Sequence, residues 1–214
     1  MNLNHIINPN SKRVERKIIL SQGQSIFFKY PLLNNGYKKI FRNRKITSVY
    51  FDDISLSALR DNIDGNRSRN KLRLRFYDDN LSDCFLEIKQ KRGLMGYKKR
   101  IKFNYTNKSL SFILEDIIKW SRSFMEKKMI PTSIVSYNRD YFAKNSFRVT
   151  IDTKVTSYRI VNSTKILSSL LNYEVIEFKY AENNDEKFRN EFRKLANFYY
   201  RSTKCSKYSN SLMY

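Results

Sequence analysis

Lys71-Leu72-Arg73-Leu74-Arg75-Phe76-Tyr77 alternates basic and apolar side chains without a slip. Successive side chains on a strand point to opposite faces, so this stretch is a strand with one cationic and one apolar face. The same period recurs along the chain. In residues 85–91, Glu87, Lys89 and Lys91 share a face opposite Leu86 and Ile88. Lys98, Arg100 and Lys102 alternate with Ile101 and Phe103, and Arg13, Glu15 and Lys17 share one face of residues 13–20. Residues 147–152 and 175–180 alternate as well, and 47–52 and 134–141 are further strands.

A few helices interrupt the strands. Leu110, Ile113, Leu114, Ile117 and Ile118 follow the spacing of an amphipathic helix over residues 109–121. Phe188, Phe192, Leu195 and Tyr199 do the same, with Asn184 or Asp185 placed to cap that helix. Shorter helices are expected near 22–30, 56–62 and 164–171. Asn34-Asn35-Gly36, Asp78-Asp79-Asn80 and Arg92-Gly93 read as turns. No internal repeat breaks the chain, so residues 1–214 are expected to form a single domain.

The 214 residues carry 42 Lys and Arg against 20 Asp and Glu, a net charge of +22. A hydrophobic content of 41% is too high for a disordered polycation, so the chain folds and its partner is an anion. The single His, His5, argues against His-based zinc sites and His general-base chemistry. Cys84 and Cys205 are far apart and form no metal-binding pair, which fits reduced thiols in a cytoplasmic protein. Neither a membrane-spanning apolar run nor a signal peptide is read in the sequence. Glycine-rich nucleotide-binding motifs are missing too.

The sheet poses a problem of its own. At least five strands have polar faces dominated by Lys and Arg. A flat sheet of this kind is a basic platform for nucleic acid, whereas a closed one turns the charges into a lumen and its apolar faces toward the helices. A lumen so lined becomes favourable once a polyanion and its counter-ions enter.

Arg13-x-Glu15-x-Lys17, Lys71-x-Arg73-x-Arg75, Glu87-x-Lys89, Tyr137-x-Arg139, Arg148-Val149-Thr150-Ile151-Asp152, Glu177-x-Lys179 and Ser206-Lys207-Tyr208 occur in one order. In this the chain resembles the VTC (vacuolar transporter chaperone) domain of polyphosphate polymerases, within the triphosphate tunnel metalloenzyme superfamily. The resemblance runs from about Arg13 to the C-terminus. Many superfamily members open with Glu-x-Glu-x-Lys. Arg13 in the first place removes a carboxylate and favours the polymerase branch over two-metal hydrolases.

The resemblance implies an α+β fold built on an eight-stranded antiparallel β-barrel tunnel with a basic lumen, flanked by helices. It implies ATP or another nucleoside triphosphate as donor, a growing inorganic polyphosphate chain as acceptor, and Mn²⁺ or Mg²⁺ as cofactor. Catalytic roles fall on Lys17, Arg73, Arg75, Lys89, Arg139, Arg148, Lys179 and Lys207. Substrate contacts fall on Arg13, Lys71, Lys98, Arg100, Tyr137 and Ser206. Alternation favours Lys98 and Arg100 over Lys99 as the inward residues. Glu177 is the leading metal ligand, its other reading being a salt-bridge partner of Lys179; Glu15 and Glu87 follow. Oxygen ligands of this kind suit hard divalent cations. Tyr137 is either a phosphate donor or packing. Ser206 and Lys207 fold back onto the tunnel by the same resemblance.

Arg suits bidentate contact with phosphate and Lys suits point-charge neutralisation, and phosphoryl transfer asks chiefly for positioning and charge stabilisation. An anionic phosphate acceptor needs no general base. A tripolyphosphatase or nucleoside triphosphatase on the same tunnel, and a non-catalytic module binding nucleic acid as a non-specific polyanion, are the competing readings. The sequence leaves the oligomeric state open.

Overall fold

The computed structural model describes residues 13–92, 95–123, 125, 127–161, 164–195 and 201–213. Nine strands form one antiparallel sheet: β1 (Arg13–Ser21), β2 (Lys38–Asp52), β3 (Ser68–Tyr77), β4 (Asn80–Arg92), β5 (Met95–Phe103), β6 (Ile130–Lys144), β7 (Phe147–Val161), β8 (Thr164–Leu170) and β9 (Tyr173–Ala181). The order is β1-β9-β7-β6-β2-β3-β4-β5, with β8 paired to β7 off this path. Five α-helices accompany it: α1 (Ile26–Asn34), α2 (Ser57–Ile63), α3 (Leu110–Ser121), α4 (Asp185–Leu195) and α5 (Lys207–Met213).

The alternation places its apolar faces outward against helices. Leu72 and Leu74 of β3, Leu86 and Ile88 of β4, and Val49 and Phe51 of β2 pack against Ile113 and Ile117 of α3. The Ser109 hydroxyl accepts from the Phe112 amide and caps that helix. On the other half, Ile18, Ile151, Ile176 and Phe178 pack against Phe28 of α1 and Phe188 of α4. A third apolar cluster lies on the inner face, where Tyr208 of α5 joins Ile46, Tyr50, Val135, Tyr137 and Val155.

Several expectations need correcting. The expected eight antiparallel strands lie on the paired path, with β8 added beside β7, but among the described residues the sheet curls without closing into a barrel by hydrogen bonds: β1 and β5 end the path. Side chains bridge across instead, with Lys89 of β4 reaching Glu15 of β1 at 3.3 Å. Charged side chains on a strand edge oppose further pairing, and Lys98, Arg100 and Lys102 on β5 would meet the cations of β1. The helix expected over 164–171 is strand β8, held by its ladder with β7. The helix expected at 22–30 starts at Ile26, because Gly23 at φ +85° and a bond from the Ser21 amide to the Gln24 side chain make a turn first. Tyr199, placed on the helix that became α4, lies outside the described residues. Among the described residues no helix is long and apolar enough to cross a membrane.

Candidate functional site: a lumen of cations ordered by buried carboxylates

The inner face is built from four linked groups. The first centres on Glu87, 2% exposed, on β4. Antiparallel register sets it between Arg73 of β3 and Arg100 of β5. Arg73 Nη2 lies 2.6 Å from Glu87 Oε2, with Arg75 Nη1 at 3.6 Å from the same oxygen. Lys98 Nζ at 2.6 Å and Arg100 Nε at 3.6 Å take Oε1. Burial alone would push Glu87 up, but Arg73, Arg75 and Lys98 outweigh it and hold the carboxyl well below its usual range. Lys98 is pushed the other way, down to about 8, by burial in spite of Glu87.

The second group centres on Asp152 of β7, 1% exposed. Arg139 of β6 clamps it with Nε at 2.5 Å and Nη2 at 2.7 Å, the two-pronged geometry in which guanidinium and carboxylate bind best. Lys207 of α5 donates to Asp152 Oδ2 at 2.6 Å, and its ammonium stands over the Tyr137 ring at 4.7 Å. Arg75 donates to the Tyr137 hydroxyl at 3.2 Å and so joins the first group to the second. Burial raises the Tyr137 phenol, yet Arg139 and Arg75 draw it below its ordinary value.

The third group pairs β1 with β9. Register sets Lys17 opposite Glu177 and Glu15 opposite Lys179. Lys179 Nζ stands 3.3 Å from Glu15 and 3.5 Å from Glu177. Lys17 at 3.9 Å and Arg139 at 4.0 Å complete the surroundings of Glu177. Burial raises Glu177, but Lys179 and Lys17 keep it depressed. The fourth group is Lys71, whose amine donates to Asn62 of α2 at 2.7 Å and to Ser206 at 2.9 Å.

The structure thus brings together Lys17, Lys71, Arg73, Arg75, Lys89, Lys98, Arg100, Tyr137, Arg139, Lys179, Ser206 and Lys207 with Glu15, Glu87 and Glu177 on one inner face. Arg148 shares that face, opposite Lys179 in register, but it is exposed. Arg13 opposes Ala181 in register, and its side chain lies outside the described residues. The carboxylates are divided, with Glu15 and Glu177 near each other and Glu87 enclosed by cations elsewhere. Among the described residues, no three His, Cys, Asp or Glu side chains gather as a metal cage.

Sequence reading missed Asp152 as a site residue. The available signal was its place two and four residues beyond Thr150 and Arg148, on the same face of an alternating strand. It also missed Asp52, 1% exposed, which accepts from the Tyr208 hydroxyl and the Ala58 and Leu59 amides and so pins α2 and α5 together.

Comparison with known proteins places this geometry. The VTC domain family model matches residues 13–214. No curated protein matches the chain. Among solved structures, a Hippeastrum protein named for adenylyl cyclase and described as having a dominant triphosphatase activity aligns with a TM-score of 0.58 and 13% identity, over 94% of this chain and 95% of that one. A Vibrio parahaemolyticus protein named for adenylate cyclase aligns with a TM-score of 0.54 and 13% identity, over 94% and 98% of the two chains. A Bacillus halodurans protein of the same name aligns at 0.52 and 13%, over 91% and 94%. At such identities the likeness is one of fold alone.

Proposed function

The chain belongs to the VTC domain family, and on that premise we propose that it is a polyphosphate polymerase. It moves the terminal phosphoryl group of ATP, or another nucleoside triphosphate, onto a growing inorganic polyphosphate chain inside the curled sheet. One observation carries the choice of transfer over hydrolysis. Glu15, Glu87, Asp152 and Glu177 are all ion-paired, and all four are held below the usual carboxylate range. Carboxylates so depressed are poor bases for activating water, whereas a phosphate acceptor arrives already anionic.

The residues divide the work by position. Arg73, Arg75 and Arg139 are pre-aimed by Glu87 and Asp152, so their guanidinium forks need little reordering when phosphate oxygens arrive. Lys17, Lys89, Lys98, Lys179 and Lys207 neutralise charge along the chain, with Arg13, Arg100 and Arg148 extending the basic track. Tyr137, acidified by its neighbours, donates to a phosphoryl oxygen. In the transfer the bond between the β–γ bridging oxygen and the γ-phosphorus breaks. A terminal oxygen of the acceptor bonds to that phosphorus, and the nucleoside diphosphate leaves with the electron pair.

The family implies a divalent cation, Mn²⁺ or Mg²⁺. The donor set fits a hard cation that takes one or two carboxylates and completes its shell with phosphate oxygens. Glu177 and Glu15 are the pair that would hold it, since they share Lys179. Glu87 has cations on both oxygens and acts as the organiser of Arg73 and Arg75. The metal would supply charge neutralisation on the transferring phosphoryl group.

The test is purified chain with ATP and Mn²⁺, run on a gel for long-chain polyphosphate with free phosphate measured in parallel. The expected result is a ladder that Glu177→Ala and Arg75→Ala each reduce at least about 100-fold, the scale of losing one charge-stabilising contact in a transition state. Phosphate without a ladder assigns the chain to the hydrolases of this fold.

A further inference from the structure

Lys71 differs from the cations around it in what holds it. Arg73, Lys98, Arg139, Lys179 and Lys207 each lie against a carboxylate. Among the described residues Lys71 has only the neutral oxygens of Asn62 and Ser206 within reach of its amine. The charges that weigh most on it are positive: Lys17 from β1, Arg69 and Arg73 from β3, and Lys89 from β4, while the nearby Glu15 carboxylate of β1 is taken up by Lys89 at 3.3 Å and Lys179 at 3.3 Å. α2 contributes Asn62, and the segment before α5 contributes Ser206.

The neutral partners are themselves fixed. Asn62 donates to the Ser209 hydroxyl at 2.6 Å, which orients its carbonyl oxygen toward Lys71. Ser206 Oγ accepts from Lys71 and lies 3.3 Å from both the amide and the hydroxyl of Ser209, which hold it toward the amine. A half-buried amine with fixed neutral acceptors and like charges on three strands lacks one component, an anion.

We propose that Lys71, oriented by Asn62 and Ser206, seats a phosphate group of the bound phosphate chain, and that its amine takes up a proton from solvent as the chain binds. This rests on the phosphate-chain reading above and adds a proton-coupled step to it. No covalent bond changes: a neutral amine and one buffer proton become an ammonium paired with phosphate. In the free protein, burial first and then Lys17, Arg69, Lys89 and Arg73 push Lys71 down to about 7. The arriving anion reverses that balance. Phosphate chains therefore bind this seat with a pH dependence that a fully charged cation would not give.

The test is calorimetric titration of tripolyphosphate into the full chain at pH 8 in metal-free solution, in two buffers of different ionisation enthalpy. The difference between buffers counts protons. Lys98 and the tripolyphosphate itself also exchange protons in this range, so the readout is the difference between wild type and Lys71→Arg. Arginine keeps the charge and the contact but does not titrate. Wild type is expected to take up roughly half to one proton more per bound chain than Lys71→Arg, with affinity in the two within about tenfold. Lys71→Met loses both the uptake and about tenfold or more in affinity. Equal uptake in wild type and Lys71→Arg would overturn the proton-coupled seat while leaving the phosphate-chain reading in place. Failure of wild type to bind tripolyphosphate would overturn both.

Discussion

Glu87 shows how one buried side chain sets the character of the lumen. Its charge holds Arg73, Arg75 and Lys98 in place, and without it the buried Arg75 and the half-buried Arg73 lose that counter-charge. Glu87→Gln is therefore expected to cost about 3–5 kcal/mol in urea unfolding at pH 7, the range for breaking a buried ion pair on one side. The pH dependence has a definite sign. Glu87 is depressed in the folded chain, so its stabilisation is complete above the unfolded carboxylate value of about 4.3 and is lost as pH falls toward the lower folded value. The difference between wild type and Glu87→Gln should shrink steadily below about pH 4. Saturating tripolyphosphate should restore part of the loss at pH 7. That Glu87 faces inward was legible in the sequence, because Leu86 and Ile88 flank it. That four cations enclose it was not, since this depends on the register of β3, β4 and β5. Asp152 escaped for the same reason: its partner Arg139 is a cross-strand neighbour, not a sequence neighbour.

Among the elements, the strands that alternate were read with their faces correct, because period-two patterning is a local signal. The elements that went unread lack one. Residues 38–45 of β2 are mostly basic, with Ile40 and Phe41 exposed among them, and they become strand through pairing with β6. In β8, Ile166, Leu167 and Leu170 have helical spacing, yet the ladder with β7 decides the outcome. Helix α5 offers only Tyr208 and Leu212 at helical spacing, too short a signal to read in seven residues. It forms because Tyr208 stacks on Tyr50 at 5.1 Å and donates to Asp52, and because Ser211 donates to Ser133 at 2.8 Å. Tyr208→Phe keeps the stacking and leaves one oxygen of a 1%-exposed carboxylate without that donor. It is expected to destabilise the chain by about 1–3 kcal/mol and to speed amide exchange in α5 and α2 ahead of the sheet, as read by hydrogen-exchange mass spectrometry.

For the molecule as a whole, the net charge of +22 has two distinct parts. Lumen cations are ordered by carboxylates and, in this account, grip the phosphate chain. Exterior cations such as Lys38 and Lys128 are exposed and add a long-range positive field. Reversing both, Lys38→Glu with Lys128→Glu, should leave the polyphosphate ladder intact while weakening RNA retention and flattening its salt dependence by about two units of logarithmic slope. Composition pointed to a polyanion as partner, and alternation announced the cationic inner face. Closure was overestimated, because whether two edges pair depends on the side chains that meet there, and here both edges carry cations.

The most direct test of the central claim follows the γ-phosphoryl group of ATP by ³¹P NMR with Mg²⁺ as the metal. The account predicts an internal phosphoanhydride resonance that grows in step with ADP while free phosphate stays near baseline. ADP appearing with an equal amount of free phosphate, and no internal anhydride signal, would contradict it.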